Sequence, residues 1–286
     1  MSWIVPALGM FACSALMYTI IRKTQLLGVP SAINNLAMFL IPLPFNVVYV
    51  WWSGESLTVS IYQLALMVFT ALFLSWLGNI ASLKAIALAP NPGYSLIISK
   101  SYVVLTAIAS IWLFAAPLPL KSVLAIAMIV AFSGLIIINK DVTAHKTESS
   151  SWVGYSLLAF VCWAGLALMS KYLLNLGVSV SARLLYVFVI VAAICLIEVK
   201  RQGLSLRLSY PVWRWLLLNG LFQFLFNLFM QIGYQLSPNP GYINAVNAAS
   251  IVLLTLLSAW LFKDELTQRK LIGVVGVTLG LIVLFL

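Results

Sequence analysis

Charged side chains are scarce in this sequence, and acidic ones are scarcest. Charged residues make up 8% of the 286 residues, with 16 Lys and Arg against 6 Asp and Glu, and there is a single His. A soluble domain carries about a quarter charged residues, so this chain lacks the polar groups needed to cover a water-facing surface. The composition therefore excludes an ordinary soluble globular protein.

Groups that catalyse reactions or hold metals are missing from the apolar segments. The single histidine, His145, lies in a polar stretch, and the three cysteines form no CxxC or metal-ligand pattern. The sequence contains no Walker loop, no GxSxG and no HExxH. We therefore expect no enzyme activity, no catalytic residues, no cofactor and no bound metal. The acidic residues all lie in predicted loops or at a predicted helix end: Glu55, Asp141, Glu148, Glu198, Asp264 and Glu265.

Long apolar runs fill most of the chain, which is 63% hydrophobic. A run of about twenty apolar residues crosses ~30 Å of hydrocarbon as a helix, and breaks rich in Gly, Pro, Ser or charge separate the runs. The strict alternation of a transmembrane barrel is absent from the sequence. The pattern predicts an all-α integral membrane protein with ten transmembrane helices, at 3–21, 31–52, 61–88, 91–114, 120–139, 152–174, 180–198, 211–236, 239–262 and 270–286.

The motif Pro-Asn-Pro-Gly-Tyr occurs twice, 148 positions apart, at Pro90–Tyr94 and Pro238–Tyr242. At this offset 11 of the 25 positions of 90–114 are identical in 238–262. The sequence thus predicts two five-helix repeats, residues 1–139 and 152–286, joined by the polar linker 140–151. Because five is odd, the second repeat must be inverted in the membrane, an arrangement that supports alternating access around a midplane site.

Each copy of the motif is predicted to end one helix and begin the next. Asn91 and Asn239 are placed to cap the following helix, whose first turn holds a proline that needs no amide hydrogen. The roles of Tyr94 and Tyr242 stay open between hairpin packing and ligand contact.

Basic residues concentrate in the odd-numbered loops and the adjoining helix ends. Those regions hold twelve Lys and Arg, whereas the even-numbered ones hold three, Lys121, Lys171 and Arg183. The positive-inside rule predicts cytoplasmic odd loops and extracytoplasmic termini in a multi-pass protein of the cell membrane. Topology thus accounts for the net charge of +10, and we expect no nucleic-acid partner.

The two five-helix halves, the tight hairpin before the fourth helix and the ending WLFKDELTQRKLIGVVGVTLGLIVL resemble the drug/metabolite transporter superfamily, EamA type. The resemblance implies a secondary transporter, often an exporter, of amino acids and other small metabolites, with a central cavity between the halves. Two features depart from the family. The loop FAAPLPLKS lacks the acidic residue of its counterpart, and the predicted termini lie outside.

Polar residues within predicted helices mark the candidate substrate site, because such groups are costly in a membrane. In the eighth helix Asn219, Gln223, Asn227 and Gln231 recur every four residues and form one stripe. Cavity lining is the favoured role of this stripe, and hydrogen bonding between helices is the alternative. Further candidates lie at comparable depth or on one face of a helix: Trp76, Asn79, Ser99, Tyr102, Trp163, Asn244 and Asn247.

Lys100 is a full charge about 12 Å in from the first hairpin, and its repeat counterpart is Ala248. It either extends toward the cytoplasm along its flexible stem or binds an anionic group of a ligand. The second role predicts that Lys100 binds the carboxylate of a substrate.

The sequence as a whole predicts a secondary transporter of a small polar metabolite that is amino-acid-like, zwitterionic or anionic. The expected partners are that small molecule and the lipid bilayer; the oligomeric state is left open, and a monomer is compatible with the sequence. The alternatives are a receptor or assembly scaffold, an intramembrane enzyme, or a carrier of nucleotide sugars, sugar phosphates or drug-like compounds.

Overall fold

The structure is a computed structural model that describes residues 2–88, 95, 98–137, 151–263 and 266–286. Within these ranges all the regular structure is helical, as the sequence predicts. The helices are α1 (Ile4–Leu26), α2 (Ser31–Leu40), α3 (Pro42–Ser53), α4 (Ile61–Phe69), a π-helical segment (Thr70–Trp76), α5 (Leu77–Leu88), α6 (Tyr102–Phe114), α7 (Leu120–Ile137), α8 (Ser151–Asn175), α9 (Val180–Arg201), α10 (Tyr210–Leu236), α11 (Pro240–Ala249), α12 (Ile251–Phe262) and α13 (Gln268–Phe285).

Eight helical stretches of the described chain are long and apolar enough to cross a membrane. Two shorter apolar helices, Ile98–Phe114 and Leu120–Ile136, lie where the fourth and fifth spans are predicted. The membrane-spanning, all-helical class is therefore confirmed.

Two helix ends differ from the prediction. Helix α1 continues to Leu26 rather than ending near residue 21, and α9 continues to Arg201 rather than to residue 198. The basic residues near these ends therefore sit on the last helical turns, not in loops. Cations at a helix C-terminus interact favourably with the helix dipole, which is one reason that the helices extend so far.

The second hairpin motif is built as predicted. Helix α11 begins at Pro240, and the Asn239 side chain caps it by accepting a hydrogen bond from the Gly241 amide at 2.8 Å. The Asn239 side-chain amide also donates to the Ala107 carbonyl at 3.2 Å, which ties the hairpin to α6. Asn91 and Tyr94 of the first motif lie outside the described residues.

Several predicted spans are interrupted. Helices α2 and α3 meet at Ile41, next to Pro42, and the helix from Ile61 to Leu88 passes through the π-helical turn at 70–76. In a π-helix each backbone hydrogen bond joins residues five positions apart, instead of the four positions of an α-helix. The carbonyl of Phe73, in this turn, lies 3.4 Å from the thiol of Cys162 on α8.

Close helix pairs form the framework of the molecule. Helix α1 packs along α10, α5 along α8, and α7 along α13. The last pair is tight because glycines face it: a Cβ added at Gly276 would lie 2.1 Å from the Phe132 ring. Small residues let membrane helices approach this closely. Helices α6 and α11 contact each other and lie between the outer pairs, so their surfaces are available for a central site.

Four tryptophans near helix ends are among the most exposed side chains of the described chain. Trp51 and Trp112 are each 85% exposed, Trp52 is 78% exposed and Trp260 is 77% exposed. Indole side chains favour the interface between headgroups and hydrocarbon, so these residues mark where the helices leave the bilayer.

Candidate functional site

Two helices from corresponding places in the halves of the chain are interrupted. The turn at Ser250 separates α11 from α12, and the turn at Ser101 separates the helical residues 98–100 from α6. At the repeat offset of 148, Tyr102 corresponds to Ser250, so the two breaks are one residue apart in the alignment. Ser250 lies about 15 Å along the helix from Pro240, near mid-membrane depth. The backbone at Ser250 stays right-handed helical (φ −57°, ψ −15°), so each turn is a local irregularity within one apolar stretch. Irregular helix segments at this depth accompany substrate sites in secondary transporters.

Asn247, three residues before the break in the second half, is the centre of a hydrogen-bond network. Its Oδ1 accepts from the Ser14 hydroxyl at 3.1 Å, and its Nδ2 donates to the Tyr102 hydroxyl at 3.4 Å. The Ser250 hydroxyl lies 3.0 Å from that of Ser14 and donates to the Asn247 carbonyl at 2.7 Å. The network joins α1, α6 and α11 at the two breaks, and it contains two of the predicted site residues.

Lys100 lies beside this network. Its ammonium group is 5.5 Å from the centroid of the Tyr18 ring, a cation–π contact. Tyr18 is four residues after Ser14, so the two side chains share one face of α1. Lys100 is half-buried and its neighbour Ser99 is buried. The lysine thus faces α1 and the central network.

Asn244 forms the part of the site nearest the second hairpin. The Tyr234 hydroxyl donates to its Oδ1 at 2.6 Å, whereas its Nδ2 has no partner in the described structure. Arg183 lies within electrostatic range of the Tyr234 hydroxyl, and its guanidinium donates to the Ser170 hydroxyl. The arginine is only 3% exposed, so a buried cation adjoins the polar residues of the hairpin.

Lys171 is also buried, but its hydrogen bonds are complete. The ammonium group donates to the carbonyl oxygens of Tyr234 at 2.7 Å, Ser237 at 3.0 Å and Gln235 at 3.4 Å. These carbonyls belong to the end of α10 and the residue after it, where backbone acceptors lack helical partners. Lys171 therefore stabilises the end of α10.

Lys171 and Arg183, which the sequence analysis counts with the even-numbered loops and helix ends, are both buried. Both lie inside helices, with exposures of 9% and 3%, and both point into the protein. Of the three basic residues counted on the even-numbered side, Lys121 is exposed.

The amide stripe of α10 is mostly buried. Asn219, Gln223 and Gln231 are at most 6% exposed, and both polar side-chain atoms of Gln231 lack partners among the described residues. Asn227 is half-buried and donates to the Gln223 carbonyl on its own helix at 2.9 Å. In the part of the chain that the structure describes, the stripe makes no side-chain hydrogen bond to another helix.

A second group of predicted residues lies where α2, α5 and α8 meet. Asn79 donates to Asn35 Oδ1 at 3.4 Å, and the Trp76 indole nitrogen is buried without a partner in the described structure. Trp163 lies close to α5, because a Cβ added at Gly78 would be 3.9 Å from its ring.

Tyr242 lies apart from the central network. Its ring is 5.7 Å from that of Trp3, and its hydroxyl donates to the Pro117 carbonyl at 2.9 Å. Its counterpart Tyr94 falls outside the described residues. The contacts of Tyr242 support the hairpin-packing alternative for that residue.

The sequence analysis missed Ser14, Tyr18, Tyr234 and Arg183 as members of this site. Serine and tyrosine are common in apolar helices, so Ser14 and Tyr18 carried no signal. Arg183 did carry one, because it interrupts the apolar run VSARLLYVFVIV and has no acidic neighbour in it.

The chemistry of the centre is that of a polar ligand site. Its groups are hydroxyls, carboxamides and the cations Lys100 and Arg183. Glu55 and Glu198, the carboxylates of the described chain, form hydrogen bonds elsewhere, with the Ser181 amide and Gln202. Among the described residues no three His, Cys, Asp or Glu side chains come together.

Comparison with known proteins bears on the fold and the family of the chain. The chain is similar to a solved crystal structure at a TM-score of 0.82 and 15% sequence identity, over 98% of this chain and 94% of that one. A comparison of the sequence with curated proteins found no match. Residues 150–286 match the model of the EamA-like transporter family, whose members are transporters rather than enzymes. Through this match, the chain belongs to the drug/metabolite transporter superfamily and is a multi-pass membrane transporter.

Proposed function

We propose that the protein is a secondary transporter that exports a small polar metabolite, amino-acid-like and zwitterionic or anionic, by alternating access. The observation that carries this proposal is the meeting of two interrupted helices at mid-membrane depth. There Tyr102 from one half bonds to Asn247 from the other, and Lys100 and Asn244 lie two and three residues before them on the same helical stretches. A site shared by both halves can face either side of the membrane as the halves rock.

The halves, 1–139 and 152–286 with the linker 140–151, act in this proposal as inverted repeats of five membrane helices each. Helix packing supports it. The first span packs on the eighth (α1 on α10), and the third packs on the sixth (α5 on α8). Exchanging the halves converts the first pair into the second, as a pseudo-two-fold axis in the membrane plane requires. The fifth and tenth spans, α7 and α13, pair with each other.

The charge of the site supports an anionic or zwitterionic substrate. Lys100 is a half-buried cation within the membrane region, where an unpaired charge is costly, and Glu55 and Glu198 of the described chain are engaged elsewhere. A substrate carboxylate would compensate Lys100 during transport, while Tyr102, Asn244 and Asn247 bond the remaining polar groups. Gln223, Asn227 and Gln231 of the α10 stripe, with Asn79, Trp76 and Trp163, would line the rest of the path.

The proposed orientation places the odd-numbered loops in the cytoplasm and both termini outside. The burial of Lys171 and Arg183 supports it, because Lys121 is then the exposed member of the three even-side cations. The positive-inside rule counts the Lys and Arg residues in loops and near the ends of the membrane helices.

Flux measurement in proteoliposomes tests the function. Purified protein should exchange at least one labelled zwitterionic or anionic metabolite across the vesicle membrane, whereas empty vesicles should not. An Asn247→Leu variant that remains folded should lose most of this flux, because the substitution removes two side-chain hydrogen bonds from the central network. Flux confined to nucleotide sugars or cationic drugs would reassign the substrate, and no flux with any metabolite would overturn the proposal.

A further inference from the structure

Arg183 is buried near the start of α9, and no acidic side chain of the described residues pairs with it. The side chain is 3% exposed, and its hydrogen bond in the described structure goes to the uncharged Ser170 hydroxyl. Its Nε–H has no acceptor. Glu55 lies near the same helix end, but its Oε2 accepts from the Ser181 amide at 2.8 Å. A guanidinium presents five N–H donors, and among the described residues the buried Nε–H of Arg183 is one that stays unused.

Two carboxamides lie close to Tyr234, whose hydroxyl is within electrostatic range of Arg183, and both have unused groups. Asn244 accepts from Tyr234 but leaves Nδ2 without a partner, and Gln231 leaves both side-chain atoms without partners among the described residues. Gln231 and Tyr234 are three residues apart and therefore share a face of α10. Arg183, Asn244 and Gln231 each have an unused N–H donor. The one unused acceptor among these three side chains is the oxygen of Gln231. A ligand that matches this excess of donors is rich in acceptors and negatively charged.

Lys171 shows that the fold can satisfy a buried cation when the cation is structural. It lies next to Ser170 on α8, and three backbone carbonyls accept its hydrogen bonds. Arg183, one helix away, receives no such set of carbonyls. Since a buried unsatisfied donor destabilises the folded protein, a ligand that supplied the missing acceptors would recover that free energy.

We propose that Arg183, with the carboxamides of Gln231 and Asn244, is a second binding position for an anionic group of the transported molecule. Arg183 lies on the side of the even-numbered loops, whereas Lys100 lies next to the turn at Ser101 in the first half. The inference rests on the proposed transport function, since the anion is part of the cargo. It adds that the cargo is an anion bound through a carboxylate or phosphate, whose planar or tetrahedral oxygens fit the guanidinium fork.

The position is closed in this structure. Gln231 and Asn244 are fully buried, and the loop after α3 is held on the start of α9 through the bonds of Glu55 to Ser181 and of Ser179 to the Ser56 carbonyl. Access therefore requires that this loop separate from α9. Such a separation at one end of the path is what alternating access produces.

Direct binding to the purified full-length protein tests the site independently of transport. The probes are succinate and inorganic phosphate, with neutral succinamide as the matched control, all at constant ionic strength in detergent. Succinate or phosphate should raise the melting temperature of the wild type in a saturable manner, and succinamide should not. Arg183→Gln should raise the half-saturating concentration at least tenfold, since the free-energy cost of a lost charged hydrogen bond, 1.5–3 kcal/mol, corresponds to that factor. Lys121→Gln, which removes an exposed cation, should bind as the wild type does.

Each outcome of this experiment either supports or overturns the proposed anion site. A response to succinate alone assigns a carboxylate, and a response to phosphate alone assigns a phosphate ester. Equal responses in wild type and Arg183→Gln, or stabilisation by chloride equal to that by the probes, would overturn the site. If Arg183→Gln does not fold, Gln231→Leu takes its place, and a wild type that shows no saturable response also overturns the site. Anion binding through Arg183 in a protein without flux would instead refute the transport function alone.

Discussion

Among the described residues, Lys100 lies next to an aromatic ring, and the carboxylates of Glu55 and Glu198 bond elsewhere. The Tyr18 ring at 5.5 Å recovers part of the cost of removing the ammonium group from water, but it does not neutralise the charge. Lys84 makes the same contact, at 5.5 Å from the Tyr155 ring, while its side chain stays exposed near the end of a span. Both lysines thus contact a tyrosine ring, but Lys84 is exposed and Lys100 is half-buried. Lys84 is therefore a matched control for Lys100.

Lys100→Ala should weaken binding of the transported zwitterion or anion about tenfold and leave its amide or ester analogue nearly unaffected. The reason is that a charge-assisted hydrogen bond is lost for the first ligand only. Lys84→Ala should change neither affinity. Titration of each purified variant with both ligands measures the difference, and equal losses for both ligands would show that Lys100 only packs. Lys100→Arg is not expected to restore affinity, because the guanidinium is larger and differently shaped.

The residue scale is also where prediction from sequence was least complete. The polar residues Tyr102, Asn244 and Asn247 stood out because a membrane helix seldom contains such groups. Arg183 carried a signal of its own but was counted with the basic residues of the helix ends, because its direction is not known until the rotation of the helix is known. Rotation depends on packing against neighbouring helices, and the sequence of one helix does not contain it.

At the scale of elements, hydrophobic length predicted the helices well and their interruptions poorly. The predicted span 211–236 is Tyr210–Leu236 in the structure, because the end of an apolar run is a strong signal. The break at Ser250 occurs within NAASIVLL, a stretch that contains no Gly or Pro to indicate a helix break. The Ser250 hydroxyl instead bonds to the Asn247 carbonyl at 2.7 Å, a local contact that competes with the helix.

The glycine face of α13 gives a prediction about stability. Gly276→Val should destabilise the protein by about 1–3 kcal/mol, because the new side chain would overlap the Phe132 ring where a Cβ alone would come within 2.1 Å. Gly154→Val is the control, since a Cβ at this helical glycine meets nothing within 4 Å. Thermal unfolding in detergent compares the two variants. If the two variants had equal melting temperatures, the close packing of α13 on α7 would not contribute to the stability of the protein.

At the scale of the whole molecule, orientation in the membrane is testable with introduced cysteines. We expect an impermeant thiol reagent to label Leu286→Cys in intact cells and to label His145→Cys only after permeabilisation, because the basic odd-numbered regions should remain in the cytoplasm. The native background should be low, since Cys13, Cys162 and Cys195 are all buried. Labelling of His145→Cys alone in intact cells would reverse the orientation.

The exposed tryptophans at the helix ends have a consequence for the membrane around the protein. Trp112 and Trp260 occupy corresponding positions in the two halves, and both are at least 77% exposed. In the proposed inverted arrangement they anchor opposite leaflets, so the distance between them sets the bilayer thickness that the protein prefers. A thicker or thinner bilayer imposes tilt or lipid deformation, at a fraction of a kcal/mol for each Å of mismatch. If the outward and inward states differ in this distance, lipid chain length will shift their populations and thereby the rate of transport.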